Sequence, residues 1–372
     1  MFPCCDDFSA SIDGLIQHLK FEEETLVFFH QLSRMCNDDS DISSLVRTHL
    51  DEVVKPSKIS SKEFTYKHSI VSLYGYLENF IEKLSDEFAT KINDALLPVK
   101  ALPESIRNNH LEISMRYLTK VLRNSNHQNN DKREREKEVV SNLNSFLQET
   151  EGYKLNSEAY AVHSANFRYQ LIQSHFSQLG VNHIADRALG FENVVNLLAI
   201  RQQQEATTEK SILTGWLEFE LAQLAQLRNE IAHGAFEGSI ETIELIIERA
   251  EFIKEFGLAL AIILHRSFDA ILFKGRNRAV IGKPDQVFPK LGCLGFKGVA
   301  LQNDEIKNTV KVGDEVFAAN SGSVVSGIVK SLNLDMQIVD KVEFPNERDF
   351  SMKVDFEVSN SMTNREISIS KF

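Results

Sequence analysis

The sequence predicts a mainly α-helical protein that ends in a small β-rich domain. Up to residue 273, apolar residues recur every three or four positions, which is the period of a helix with one buried face. Beyond Pro284 the pattern changes to short alternating or β-branched runs separated by glycines, which is typical of strands and turns. We therefore expect a multi-helix bundle followed by a C-terminal β-barrel or β-sandwich.

The helical region divides at polar segments that are typical of loops. Such segments occur at residues 37–41, 123–131 and 201–210. The charged run at 132–138 alternates in sign, which favours the start of a solvated helix. Helices are predicted over residues 10–36, 60–93, 104–122, 164–179, 211–233 and 240–273, with a short apolar segment at 42–54.

The pattern also predicts the division of the chain into regions. Strands are expected over residues 310–317, 324–332, 337–344, 351–358 and 365–369. We predict an N-terminal helical region at 1–58, a helical domain at 59–273, a basic hinge at 274–284 and a β-rich domain at 285–372. Residues 312–317 and 327–332 are similar to the barrel domain of translational GTPases, a resemblance that includes no catalytic residue.

Composition and charge limit the functional classes. Charged residues make up 25% of the chain and hydrophobic residues 42%, which is ordinary for a globular protein. The net charge of −12 argues against wholesale coating of nucleic acid, so any RNA contact needs a local basic patch. The four cysteines form no CxxC pair, which favours reduced thiols over a disulfide framework or a zinc site.

We expect a cytoplasmic protein that binds neither a membrane nor a cofactor. The N-terminus lacks a signal pattern, and no uninterrupted apolar run reaches the roughly 18 residues needed to cross a bilayer. The sequence contains no GxxxxGK[ST] loop, no HExxH motif and no GxSxG motif. Its 11 histidines show no pairing at metal-ligand spacing, so no metal site is predicted.

The most informative segment is residues 227–234, Leu-Arg-Asn-Glu-Ile-Ala-His-Gly. Arg228 falls within about 40° of the centre of an apolar helical stripe, at 100° per residue. A charge there is costly unless it is paired or the stripe borders a cleft or a subunit interface. Gly234 predicts the end of the helix just after His233. A cation on an apolar stripe next to a terminal histidine indicates a functional site.

This segment resembles the signature of the HEPN superfamily, whose nuclease members carry R-x4-6-H, frequently with a polar residue after the arginine. Residues 72–81 also resemble the early helix of a bacterial subfamily related to the RiboL-PSP-HEPN group. The resemblance covers roughly residues 60–272, and Arg228, Asn229 and His233 match its motif. It implies a HEPN-type helical bundle, a homodimer whose two motifs face one cleft, and ribonuclease activity.

The residue types of the motif fit RNA cleavage without a metal. In that reaction the 2′-hydroxyl attacks the adjacent phosphorus and leaves a 2′,3′-cyclic phosphate and a 5′-hydroxyl. His233 is the side chain of the motif that titrates near neutrality. Arg228 can stabilise the phosphoryl oxygens with a fork that keeps its proton, and Asn229 can bind the phosphate or hold the histidine tautomer.

A purely structural role for Arg228 and His233 stays open, and a second Arg–His pair is set aside. Arg228 could bridge helices or subunits while His233 caps a helix end, without any catalysis. Arg168 and His175 also satisfy R-x6-H, but we interpret this pair as non-functional. It is predicted to lie mid-helix, and it lacks the asparagine and the terminating glycine.

RNA binding needs positive charge that the chain as a whole lacks. The candidates lie in the predicted hinge and in the charged run at 132–138, although both segments could equally be solvated surface. Glu78, at the edge of the early helix, is expected to be a surface or capping partner. The RNA-binding candidates are Lys274, Arg276, Arg278, Lys283 and Arg133, with Arg123, Lys132 and Arg135 beside them.

Two classes of function follow from these observations. In the first, the protein is a metal-independent endoribonuclease with a toxin or anti-phage role, whose β-rich tail senses or docks a regulator or antitoxin. In the second, it is an inactive HEPN-type module that binds nucleotide or RNA or stabilises a dimer. A translation-linked factor is a third option, based only on the C-terminal resemblance.

Overall fold

The computed structural model describes most of the chain, and the statements below concern that part. The described residues are 2–35, 41–50, 52, 55–123, 129–298, 309–344, 346 and 348–370. Residues 37–40 of the predicted turn and residues 124–128 of the predicted loop lie outside them.

The described part of the N-terminal three quarters of the chain consists of α-helices, as predicted. The helices are α1 (Cys4–Met35), α2 (Asp41–His49), α3 (Lys55–Asp94), α4 (Glu104–Arg123), α5 (Asn129–Leu147), α6 (Ser157–Tyr160), α7 (Tyr169–Ser177), α8 (Ile184–Ala188), α9 (Glu192–Arg201), α10 (Lys210–Ala232) and α11 (Ile243–Gly275). Short 3₁₀ turns lie at Val99–Ala101, Pro289–Leu291 and Asn360–Asn364.

One predicted helix is much shorter than expected. The pattern predicted residues 164–179, whereas α7 starts at Tyr169. Arg168 has the extended backbone angles φ −124 and ψ 172, so the chain enters the helix only after it. Residues 163–167 therefore form an irregular segment, and its side chains take part in the site described below.

The chain folds into two compact units that do not follow chain order. The first unit comprises Met1–Thr90, Leu111–Glu136 and Asn156–Ile263, and the second comprises Lys91–His110, Lys137–Leu155 and Leu264–Phe372. Short helical stretches therefore belong with the β-strands rather than with the larger helical unit. The domain boundaries predicted at residues 58, 273 and 284 stay predictions.

The core of the first unit is built from aromatic and aliphatic faces of α1, α3, α10 and α11. The ring of Phe8 stacks on that of Phe80 with centroids 4.1 Å apart, and both side chains are buried. Gly257 of α11 lies against these rings, close enough that a Cβ would reach Cζ of Phe8 at 2.8 Å. This packing joins α3 to α1 and α11, and α10 is tied to α11 by Glu220, which lies 3.2 Å from Arg249.

Among the described helices, α11 is long and apolar enough to cross a bilayer by length and composition. It contains a window with a mean hydropathy of 1.7, although its apolar residues are not consecutive. Counting only uninterrupted apolar runs therefore missed it. Because 56% of that window is buried inside the protein, with Phe252, Phe256 and Leu260 fully enclosed, α11 has the burial of a core helix.

The C-terminal region forms an antiparallel sheet that is not a closed barrel. The described strands are β1 (Arg278–Gly282), β2 (Gln286–Phe288), β3 (Cys293–Phe296), β4 (Thr309–Lys311), β5 (Glu315–Ala319), β6 (Val324–Leu334), β7 (Gln337–Val339), β8 (Lys341–Glu343), β9 (Phe350–Val354) and β10 (Glu366–Ser370). The main sheet has the order β1-β10-β5-β6-β9-β3-β2, β7 pairs with β6, and β4 pairs with β8. Its core includes Leu294, Val316, Leu332, Met352 and Ile367.

Three features of the sheet differ from the sequence pattern. The predicted strand 310–317 is interrupted at Gly313, whose φ of +94 makes a turn between β4 and β5. The predicted strand 337–344 is likewise two strands, β7 and β8. Strands β1 to β3 were not expected, and β1 lies inside the segment predicted as a hinge because it pairs with β10, at the far end of the chain.

Candidate active site at the end of α10

Helix α10 ends where the sequence predicted. His233 follows the last helical residue, and its backbone N–H donates to the carbonyl of Asn229 at 3.0 Å. Gly234 has a φ of +68, the left-handed conformation that stops a helix, and Ala235 N–H closes the turn on Glu230 O at 2.8 Å. This stop leaves the His233 side chain exposed one turn beyond Arg228 and Asn229.

Arg228 is a half-buried cation without a carboxylate partner. Its guanidinium carbon lies 5.2 Å from the centre of the Tyr74 ring, and its Nη1 donates to Oδ1 of Asn229 at 3.1 Å. Within the described part of the chain, no acidic group forms an ion pair with it. A guanidinium that is partly desolvated and not neutralised is a strong binding group for a phosphate.

Asn229 orients the arginine, and a second asparagine holds Asn229 in turn. Nδ2 of Asn166 donates to Oδ1 of Asn229 at 2.7 Å, so this oxygen accepts from both Asn166 and Arg228. Because an arginine only donates, the group that faces it must be the amide oxygen. The Nδ2 group of Asn229 is therefore left to donate to a ligand. Reasoning from the sequence did not identify Asn166.

The ring of Tyr74 lies beneath the guanidinium of Arg228. Its hydroxyl donates to Oε1 of Glu78 at 3.2 Å and accepts the backbone N–H of Phe167 at 2.8 Å. Burial raises the pKa of the Tyr74 hydroxyl above its ordinary value, with a further contribution from Glu78. Glu78 is half-buried at the edge of this cluster, which is closer to the motif than its expected surface role implied.

His163 belongs to the same neighbourhood. Its Nδ1 lies 2.8 Å from the carbonyl oxygen of Ala165, and its Nε2 lies 3.0 Å from Oε1 of Glu82 and 3.8 Å from Oε1 of Glu78. The imidazole packs on the ring of Phe167 with centroids 4.3 Å apart, and 13% of the side chain is exposed. The sequence contained no signal for this residue, because its carboxylate partners Glu82 and Glu78 lie 81 or more positions away.

His233 differs from His163 and His175, whose ring nitrogens make hydrogen bonds within the unit. Its side chain is exposed, and it makes no hydrogen bond with any residue that the structure describes. The ring nitrogens of an exposed imidazole can exchange protons with solvent or with a bound ligand. The side chain therefore has the properties that a proton-transfer group needs.

The second Arg–His pair does not form a site. Arg168 is exposed just before α7, which corrects the expectation that it lies mid-helix, whereas His175 is buried inside the unit. Nε2 of His175 lies 2.8 Å from Oγ of Ser85. Burial lowers the pKa of His175 to about 4, so its imidazole is neutral at neutral pH.

The basic residues proposed for RNA binding differ in their surroundings. Arg276 pairs with Glu315 at 3.2 Å, and the Arg278 guanidinium lies 3.4 Å from the centre of the Phe273 ring. Burial also lowers the pKa of Arg278. The other three candidates are exposed: Lys274, Lys283 and Arg133. Their role in RNA binding stays a prediction.

The described residues contain no group of three or more His, Cys, Asp or Glu side chains arranged to hold a metal ion. The polar cluster around α10 instead consists of one arginine, two asparagines, two histidines, a tyrosine and two glutamates. The arginine and the asparagine amides of this set can donate to an anion, and its histidines can carry protons. It is chemically suited to a phosphodiester.

Comparison with known proteins identifies the family of the helical region. The family match of the helical region is to a HEPN-type domain, which suggests a ribonuclease or a nucleotide-binding module. A family model described as RiboL-PSP-HEPN matches residues 37–266, more than half of the chain. The chain therefore belongs to the RiboL-PSP-HEPN family, which confirms the resemblance and extends it toward the N-terminus. No curated protein and no solved structure matched the chain.

Proposed function

We propose that this protein is a metal-independent endoribonuclease whose catalytic residues are Arg228, Asn229 and His233. The observation that carries the proposal is the state of Arg228, which is half-buried, oriented by Asn229 and not neutralised by a carboxylate in the described part of the chain. An arginine held only to stabilise the fold would be expected to have a buried acidic partner, as Arg249 has. The unpaired charge is instead available to a phosphate.

The reaction follows from the roles of these groups. His233, as general base, removes the proton of the RNA 2′-hydroxyl, and the resulting oxygen attacks the neighbouring phosphorus. Arg228 donates to the phosphoryl oxygens as their charge increases, and Asn229 donates from Nδ2. The bond from phosphorus to the 5′-oxygen breaks and that oxygen takes a proton from water, which leaves a 2′,3′-cyclic phosphate and a 5′-hydroxyl. Both groups that bind the phosphate are positioned before the substrate arrives, which lowers the cost of reaching the transition state.

We further propose that the protein works as a homodimer in which two copies of the motif face one RNA strand. Leu227 and Ile231 lie on the same helix turn as Arg228 and are only half-buried in the single chain. A half-buried apolar strip beside a binding cation is suited to a subunit contact. The family resemblance implies the same arrangement.

The biological role that fits such an activity is a toxin or anti-phage nuclease that a partner protein restrains. The β-rich region has a surface suited to such a partner at the β6–β7 turn. There Met336 is 96% exposed and Ile338 is 84% exposed, although both are large and apolar. An exposed methionine in the turn and an exposed isoleucine in the adjoining strand β7 favour protein contacts.

The proposal is tested by incubating purified protein with RNA in the presence of EDTA. We expect cleavage that leaves 2′,3′-cyclic phosphate and 5′-hydroxyl ends, and a loss of roughly 10²–10⁴-fold in rate for His233→Ala. The control is His183→Asn, which changes an exposed histidine of the same unit whose φ of +54 an asparagine tolerates. This control should cleave like the wild type.

Expression in bacteria gives a second test. Wild-type protein should slow growth and degrade cellular RNA, and His233→Ala should restore both. Intact RNA with the wild-type protein, in the tube and in the cell, would favour an inactive binding module. Equal cleavage by His233→Ala would exclude His233 from the reaction.

A further inference from the structure

Helix α3 carries an exposed pair of aromatic rings that the proposed reaction does not use. Phe64 is 71% exposed, although it is large and apolar. Its ring lies parallel to the imidazole of His68, with an interplanar angle of 7° and centroids 5.9 Å apart. His68 is exposed as well, so the two rings form a flat stack on the surface of α3. A third planar ring can extend such a stack without any rearrangement of the protein.

The ring pair lies on the same stripe of α3 as the ring beneath Arg228. At about 100° per residue, Phe64 and Tyr74 are about 80° apart around the helix, and Val71 falls between them. Val71 is 38% exposed. A rise of about 1.5 Å per residue puts Phe64 about 15 Å along the axis from Tyr74. Because Arg228 lies over the Tyr74 ring, the stripe connects the ring pair to the phosphate-binding cation.

The loop that follows the motif packs on the same stretch of α3. The ring of Phe236, three residues after His233, lies 5.5 Å from the ring of Tyr66. Nζ of Lys67 lies 5.7 Å from the centre of the Phe236 ring. Together with the contact beneath the arginine, these contacts place residues 66–74 of α3 beside the end of α10 and its loop. The ring pair therefore borders the candidate active site.

Position 75 keeps the stripe open next to the arginine. Gly75 lies inside α3, one residue after Tyr74, and no atom packed against the helix lies within 4 Å of the position that its Cβ would take. A glycine inside a helix costs stability relative to alanine, and one use of such a position is the close approach of a ligand. The missing side chain leaves room for a strand that is bound at Arg228.

We infer that this stripe of α3 binds unpaired bases of a single-stranded RNA, with one base stacked on Phe64 while Arg228 binds the phosphate that is cleaved. The inference rests on the proposed ribonuclease function and names its substrate class. A base can lay its flat face on an exposed ring only where paired neighbours do not cover it, so the bases of a duplex cannot use this surface. Every base has such a face, so the surface selects single strands rather than a sequence.

Oligonucleotides with a single cleavable bond test the inference. All sugars but one carry 2′-O-methyl groups, so the attack of a free 2′-hydroxyl is limited to one phosphate. Successive substrates lack one base, at increasing distance on either side of this bond. We expect wild-type protein to lose roughly 5- to 150-fold in rate when the base that stacks on Phe64 is missing. Annealing a complementary strand to the intact substrate should abolish cleavage.

Variants of Phe64 show whether a ring binds that base. Phe64→Leu keeps an apolar side chain without a ring, so it should lose a similar factor on the intact substrate and lose nothing further when the stacked base is missing. Phe64→Tyr keeps the ring and should cleave within a few-fold of the wild type. The matched control is Phe219→Ala, because Phe219 is 53% exposed on α10 but lies about 180° around that helix from Arg228. This control should cleave like the wild type.

The outcomes separate this inference from the function on which it rests. Full activity of Phe64→Leu on the single strand, or equal cleavage of the single strand and the duplex, would overturn the inference and leave the ribonuclease function intact. A change in the oligomeric state of Phe64→Leu, measured by light scattering, would assign the surface to a second copy of the chain and would also overturn it. If the wild-type protein cleaves neither these substrates nor ordinary RNA, the proposed function is wrong, and the inference with it.

Discussion

The amide of Asn166 donates to Oδ1 of Asn229 at 2.7 Å across 63 positions of the chain. That oxygen also accepts from Arg228, so the bond from Asn166 fixes the same atom that orients the arginine. The contact connects the irregular segment before α7 to the last turn of α10. The orientation of Arg228 and Asn229 therefore depends on residues 163–167, a segment without a recognisable sequence pattern.

Removing this amide should therefore weaken RNA cleavage without unfolding the protein. Asn166→Ala deletes one hydrogen bond, which is worth about 0.5–1.5 kcal/mol, so we expect cleavage to fall by roughly two- to tenfold. The measurement is the ratio kcat/KM on a short RNA. Ser164→Ala, an exposed change in the same segment, is the control. If Asn166→Ala and Ser164→Ala cleave equally well, Asn166 does not position the site.

Replacing the arginine by lysine tests its geometry rather than its charge. Arg228→Lys keeps the positive charge but loses the planar fork that reaches Asn229 while lying over Tyr74. We expect cleavage to fall by about tenfold or more. The matched control is Arg107→Lys, at an exposed position on α4, which should have little effect. A fully active Arg228→Lys enzyme would show that only charge is needed.

The stability of the protein should fall as the pH decreases below 6.5. Burial lowers the pKa of His175 to about 4 in the folded state, while the unfolded chain has the ordinary value of 6.5. Between these values the unfolded state binds more protons, so acid favours unfolding. The stabilisation is fully present above pH 6.5 and is lost as the pH falls toward 4, by about 3 kcal/mol in total.

Denaturant unfolding measured at several pH values checks this slope. His175→Gln should have a shallower dependence between pH 6.5 and 4, whatever its stability at neutral pH. His183→Asn, which alters a histidine whose side chain is 78% exposed, should keep the wild-type slope. An unchanged slope in His175→Gln would assign the pH dependence to other groups.

A buried ion cluster beneath α10 should be a large contributor to stability. Glu220 lies 3.2 Å from Nη1 of Arg249 and 3.4 Å from Nε of Arg201, and its side chain is 2% exposed. Glu220→Gln leaves two buried guanidinium groups with less negative charge, so we expect a loss of about 3–5 kcal/mol in the free energy of unfolding. Glu63→Gln, which breaks a half-exposed pair with Lys67, should cost less than about 1 kcal/mol. Similar losses in the two variants would contradict the role of burial.

Two helical glycines should respond to alanine in opposite directions. At Gly257 a Cβ would press on Phe8 and reach Cε1 of Phe80 at 3.2 Å, so Gly257→Ala should destabilise by about 1–3 kcal/mol. Gly215 in α10 has no atom within 4 Å of the same position. Gly215→Ala should stabilise by about 1 kcal/mol through helix propensity. Thermal unfolding of both variants distinguishes these effects, and stabilisation by Gly257→Ala would contradict the packing of α1 on α3 and α11.

Local patterns were enough to predict most of the helices and the motif. The apolar period of α10 and the glycine at 234 act within one or two helical turns, and they placed Arg228, Asn229 and His233 at a helix end. The same patterns failed where a segment has too few periodic residues. The predicted helix over 164–179 was too long at its start, because the extended backbone of Arg168 has no sequence signature.

The long-range partners required the tertiary structure. Strand β1 forms because β10 lies beside it, and no property of residues 278–282 predicts a partner near residue 370. The site shows the same division. The sequence determined by itself that an arginine, an asparagine and a histidine lie at the end of one helix. Only the tertiary structure decided that Tyr74 lies under the arginine and that Asn166 bonds to the asparagine, because residues 63 or more positions apart meet through the packing of whole helices, which no local pattern encodes.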